Sequence, residues 1–84
     1  MRYICRVCGL EYDEPTWGED GMTPSFDICA CCGAEFGYHD ATLSAIRAYR
    51  EKWLRSGAQW WNPKLKPEGW SLEEQLKNIS QQFR

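Results

Sequence analysis

The chain has 84 residues, a formal net charge of −2, five cysteines and twelve aromatic residues, which suits one small domain (residues 1–84) and gives no overall positive charge for tracking phosphates. At this size a hydrophobic core alone contributes only about 3–5 kcal/mol, so a second source of stability is expected. No apolar run approaches the roughly 18–20 residues that span a bilayer, and no apolar leader with a cleavage site follows Met1, so a cytoplasmic setting without a membrane partner is expected.

In chain order, short strands are expected at residues 3–4, 10–12, 26–28 and 34–36, with loop-like sequence at 13–25, where Pro15, Gly18, Gly21 and Pro24 fall. From about Ala41 the apolar period becomes helical: Leu43, Ile46, Tyr49, Trp53 and Leu54 share one face, and Gly57 follows as a stop. Arg50 falls inside that face, which is about 140° wide. A buried unpaired guanidinium is costly, so Arg50 is expected to pair with an acid such as Glu35 or Asp40, to stack on a tryptophan, or to emerge at a partner interface. Residues 58–70, with Trp60, Trp61, Pro63, Pro67, Gly69 and Trp70, read as an irregular aromatic connection. A second helix begins at Ser71, with Glu74 placed for a capping box and a narrow stripe of Leu72, Leu76, Ile79 and Phe83. The chain thus divides into a metal-binding part, residues 1–40, and a helical extension, 41–84, packed on it.

The strongest signal is an internal repeat at a constant offset of 24 residues. Ile4, Cys5, Cys8, Gly9, Glu11 and Tyr12 correspond to Ile28, Cys29, Cys32, Gly33, Glu35 and Phe36. Each copy is a Cys-x-x-Cys-Gly turn that aims two sulfurs at one point, and the glycine permits the positive φ that closes the turn. Two such turns present four thiolates, Cys5, Cys8, Cys29 and Cys32, in the tetrahedral pattern that suits Zn²⁺ or Fe. Backbone N–H groups aimed at the sulfurs would stabilise their charge. Cys31, beside Cys32, is a poor fifth ligand; it reads as a free thiol, with a ligand swap with Cys32 or a redox role as alternatives. His39 is read as a surface histidine, with replacement of a thiolate as the alternative. Five cysteines are an awkward count for a disulfide framework, and no βαβ pattern surrounds either Cys-x-x-Cys to make it a thioredoxin-like dithiol.

Residues 3–39 resemble a rubredoxin-like zinc ribbon through Tyr3-x-Cys5-x-x-Cys8-Gly9-x-x-Tyr12-Asp13, the aromatic lead-in from Phe26 to Cys29, and Cys32-Gly33. The resemblance implies a small α+β protein: two cysteine knuckles on short antiparallel strands, followed here by two α-helices. It implies Cys5, Cys8, Cys29 and Cys32 as ligands and Tyr3, Tyr12 and Phe26 as core aromatics. The chain departs from rubredoxins in a shorter connection between knuckles, Ala30 where proline is usual, the extra Cys31, and the helical extension. It is also similar to small cysteine-rich bacterial proteins of unassigned function.

Charge is uneven: residues 1–40 carry a net −6, residues 41–70 a net +4, and the remainder is neutral. The basic segment is expected to face its own acidic half or an acidic partner. A four-cysteine site is closed, lacking the open position of catalytic zinc, and no nucleophile–base pair or phosphate-cradling loop accompanies it, so no enzymatic turnover is expected. The expected function is a structural Zn²⁺ module that binds a protein partner through Arg50, Trp53, Trp60 and Trp61. A rubredoxin-type iron electron carrier is the alternative, and a nucleic-acid-binding zinc ribbon a weaker one.

Overall fold

The structure, a computed structural model, describes residues 3–84. It has an α+β arrangement. Strand β1 (Tyr3–Ile4) pairs antiparallel with β2 (Glu11–Tyr12), Tyr3 opposite Tyr12 and Ile4 opposite Glu11. Helix α1 (Leu43–Arg55) and the short helix α2 (Leu72–Leu76) follow, with single 3₁₀ turns at Pro63–Leu65 and Gln81–Phe83.

The second expected strand pair shrinks to one bridge, Ile28 opposite Glu35. Phe26 is the cause: its φ of 62° lies in the left-handed region, which interrupts an extended run for any residue with a Cβ. Its ring is 61% exposed, so Phe26 is not a core aromatic. Phe36 takes that role, fully buried and met edge-on by Tyr12 at 5.5 Å. Tyr3 and Tyr12 are half-buried.

Thr42 starts α1, its extended backbone turning the side chain to accept from the Ala45 N–H. Lys52 and Arg55 lie in the last turn, where the helix dipole favours cations. Gly57, at φ 101°, then ends the helix. Ile46 and Trp53 are buried, while Leu43 and Leu54 lie at the margins of the stripe, each 38% exposed. Ser71 caps α2 by accepting from the Glu74 N–H. The helix stops at Leu76, yet its stripe continues: Ile79 is buried, and Leu72, Leu76 and Phe83 pack against the core. Arg84 closes this end by donating to the carbonyls of Leu76, Lys77 and Ile79.

The two halves share one core. All five cysteines, Val7 and Phe36 from the first half lie in one buried cluster with Ile46, Trp53, Ala58 and Trp60 from the second. The ion pairs Arg55–Glu51 and Lys77–Glu74 are local and exposed, a kind that contributes little to stability. Attachment of the halves rests instead on apolar packing and on hydrogen bonds to knuckle carbonyls. No helix among the described residues is long and apolar enough to cross a membrane.

Candidate metal centre

The sequence repeat is a structural repeat. In the first knuckle the Cys5 N–H donates to the Leu10 carbonyl at 2.9 Å and the Gly9 N–H to the Cys5 carbonyl at 3.0 Å. In the second the Cys29 N–H donates to the Ala34 carbonyl at 2.8 Å and the Gly33 N–H to the Cys29 carbonyl at 2.9 Å. Every donor and acceptor is displaced by the same 24 positions. Gly9 and Gly33 take φ of 86° and 79°, where a side chain would be strained.

The Sγ atoms of Cys5, Cys8, Cys29 and Cys32 lie within 4.8 Å of one another. Two close approaches cross between knuckles: Cys5 to Cys32 at 3.7 Å and Cys8 to Cys29 at 3.6 Å. A tetrahedron with metal–sulfur bonds of about 2.3 Å has edges of about 3.8 Å. The cluster therefore fits one tetrahedral ion, and it can hold a metal. Hydrogen bonds from Cys32, Cys5 and Cys8 hold the Cys29 thiol far below its ordinary value. The corresponding bonds, those with Cys29 foremost, push Cys8 and Cys32 up. A cation at the centre of four sulfurs supplies the positive charge that lets them ionise together.

Cys31 lies outside this foursome. Its thiol is fully buried and accepts from Gln75 Nε2 at 3.3 Å, and the same amide donates to the Cys8 carbonyl at 3.0 Å. Gln75 is oriented in turn by the Trp70 indole N–H, which donates to Oε1 at 2.7 Å. All five cysteines are free of disulfides. His39 is not among the clustered side chains: Nδ1 accepts from the Glu35 N–H, and the ring rests between Tyr38 and Tyr49.

The helical half covers each knuckle differently. Over the first, Arg50 donates to the carbonyls of Val7 (2.7 Å) and Arg6 (2.8 Å), and also to those of Phe83 and Arg84. Arg50 thus satisfies its charge on main-chain oxygens, not on the acids Glu35 or Asp40. Asp40 faces inward to the Trp17 indole and the Gly37 N–H. Asn78 donates to the Gly9 carbonyl, and Gly9 is so closely covered that a methyl there would lie 2.1 Å from the Gln75 carbonyl oxygen. Over the second knuckle, the N–H groups of Trp61 and Asn62 donate to the carbonyls of Cys31 and Ala30, both at 2.9 Å. The Tyr49 hydroxyl donates to the Cys32 carbonyl, and the Trp61 ring covers Gly33. From within the first half, the Tyr12 hydroxyl accepts from the Ala30 N–H and donates toward Cys29; burial raises its pKa.

Tyr12 was expected as a core ring and proves also to be a polar neighbour of the sulfurs. Gln75 was not singled out from sequence, although a signal existed: it falls three residues after Leu72 and four before Ile79, a polar residue on an apolar stripe. Among the residues expected to meet a partner, Trp53 and Trp60 are buried, Arg50 is engaged internally, and Trp61 is 64% exposed.

Two proteins of Bacillus subtilis (strain 168) match the sequence. The uncharacterized protein YozI is 33% identical over 82 residues, covering 79% of this chain and 68% of its own length. The uncharacterized protein YoaQ is 37% identical over 93 residues, covering 90% of this chain and 72% of its own length. This chain belongs to their family. No protein-family model matches the chain, and no solved structure matches it.

Proposed function

We propose that Cys5, Cys8, Cys29 and Cys32 hold a single Zn²⁺ as thiolates in a rubredoxin-like zinc ribbon, and that the ion is structural. The observation that carries this reading is the burial of the foursome beneath a second set of residues. Cys5, Cys8 and Cys29 are wholly buried and Cys32 is 6% exposed, with Arg50, Gln75, Asn78 and Trp61 closing over the turns. A closed four-sulfur site supports folding; it has no open coordination position for substrate or water. The module around it serves as a binding surface for another protein and performs no turnover, with Trp61 as its most exposed aromatic. Cysteines that form no disulfide suit a reducing, cytoplasmic compartment.

Iron is the alternative occupant because tetrahedral sulfur suits both metals; the cover over the knuckles favours a structural ion over an electron carrier. Elemental analysis and a visible spectrum of the purified protein decide between them. One equivalent of zinc and no visible absorption are expected. A red protein with one equivalent of iron would replace this reading with electron transfer.

A further inference from the structure

Between α1 and the turn that follows it lies a cavity of about 310 Å³, the lower end of the range for ligand sites. Tyr49, Trp53, Trp60 and Trp61 form its walls, and Lys52 stands at its edge. Trp53 and Trp60 are fixed by burial, at 5% and 8% exposure, while Trp61 stands out to solvent. Rigid aromatic walls beside an exposed tryptophan are the composition of an interface anchor site.

Lys52 has no carboxylate partner among the described residues, and no lining residue is acidic. An ammonium without a counter-ion calls for an anionic occupant. The surrounding 41–70 segment, at net +4, adds long-range attraction for the same sign.

We propose that this cavity receives an acidic segment of a protein partner, seating one aromatic side chain between Trp53, Trp60 and Trp61 with a flanking carboxylate on Lys52. The proposal rests on the protein-binding reading above and names where and by what chemistry the partner is held. The site also adjoins the metal centre, since Tyr49 lines the cavity and donates to the Cys32 carbonyl, and the Trp61 ring lies on Gly33. Occupancy should therefore be felt at the second knuckle and hardly at the first.

The test uses metal-loaded full chain, labelled with ¹⁵N, titrated with three end-capped peptides: Asp-Trp-Asp, Lys-Trp-Lys and Asp-Ala-Asp. The first is expected to shift the indole N–H signals of Trp53, Trp60 and Trp61 and the amide of Gly33. It should bind at least tenfold tighter than Lys-Trp-Lys, with no measurable binding of Asp-Ala-Asp. Lys52→Glu should remove the preference for the acidic peptide at unchanged metal content, and Trp61→Ala should weaken acidic-peptide binding at least tenfold. Equal affinity for the acidic and basic peptides, or shifts confined to another face, overturns the proposal. So does tighter binding of a thymidine octanucleotide at the same indoles, which would assign the cavity to base stacking. A protein partner cross-linked through a face remote from Lys52 would overturn this site while leaving the protein-binding reading intact.

Discussion

The two cysteine knuckles are built alike and covered differently. Both close with the same pair of main-chain hydrogen bonds and a left-handed glycine, because a five-residue turn is determined by its own atoms. Their covers differ in kind, although Gln75 reaches both, donating to the Cys8 carbonyl and to the Cys31 sulfur. Polar side chains reaching from afar (Arg50, Gln75 and Asn78) hold the first knuckle by its carbonyls. The second pairs main chain to main chain with residues 61–62 and lies under an aromatic ring. A duplicated turn thus supplies a symmetric sulfur cage, while the rest of the chain secures its two sides by unrelated means.

Removing the metal should erase the difference altogether. A structural zinc ion contributes apparent binding energy on the order of 10–16 kcal/mol, far beyond what either cover supplies. Cys5→Ser, Cys8→Ser, Cys29→Ser and Cys32→Ser should each abolish stoichiometric metal and unfold both knuckles, as read by elemental analysis and amide dispersion. Cys31→Ser should retain the ion, because Cys31 lies outside the foursome. Under the proposed ligation falling pH should act in the same direction as chelation: the ligands would bind as thiolates, so protonation should release the ion and the fold should be lost on the acid side. A Cys29→Ser protein that keeps a full equivalent of metal would refute the ligand set.

Adding a methyl to each knuckle glycine sharpens the contrast. Both positions incur strain of about 1–2 kcal/mol for a side chain at positive φ. At Gly9 the methyl also meets the Gln75 carbonyl oxygen at 2.1 Å, a backbone atom within α2 that cannot swing aside. At Gly33 it meets the Trp61 ring at 2.8 Å, an exposed side chain that can rotate away. Gly9→Ala is expected to cost about 4 kcal/mol and Gly33→Ala about 2 kcal/mol. Thermal unfolding checks this, since 1 kcal/mol moves Tm by about 4–8 °C in a domain of this size. Equal losses would count against the rigid lid over Gly9.

Arg50→Met tests the polar cover alone. It leaves the Arg6 and Val7 carbonyls without their charged donor, a loss of about 3 kcal/mol when one hydrogen bond to a charged group is worth about 1.5–3. Chemical-shift changes should concentrate at residues 6–9 and 83–84 and spare 29–33. Arg50→Lys should rescue little, because a single ammonium cannot reproduce the planar fork that serves four carbonyls. Changes of equal size at both knuckles would show that Arg50 acts on the whole core. The smallest effect is expected from Tyr49→Phe, which removes one donor from the Cys32 carbonyl and should cost about 1 kcal/mol. Its shifts should stay within the second knuckle.

Much of the sulfur cluster was legible in the sequence. The offset of 24 residues announced two equivalent turns, and the four sulfurs meet as that equivalence requires. The end of α1 and the start of α2 were legible for the same local reason: Gly57 and Ser71 act on backbone groups within four residues of themselves. Where interactions run farther, the reading failed in identifiable ways. The resemblance marks Phe26 as a core aromatic, but a left-handed φ sends it outward and Phe36 is buried instead. Arg50 was correctly marked as a charge on an apolar face, but the oxygens that receive it belong to residues 33–44 positions away.

By itself, then, the sequence determined the two glycine-closed turns, the four sulfurs they carry, the stop of α1 and the start of α2, since all of these arise from contacts within a few residues. Only the tertiary structure decided what lies over the sulfurs. Gln75 on Cys31 and Cys8, Trp61 on Gly33 and Arg50 on the first knuckle are each set by where distant segments come to rest in the common core. Such placements depend on packing the whole chain at once, because a buried carbonyl accepts any donor within reach and the local sequence does not say which donor that will be.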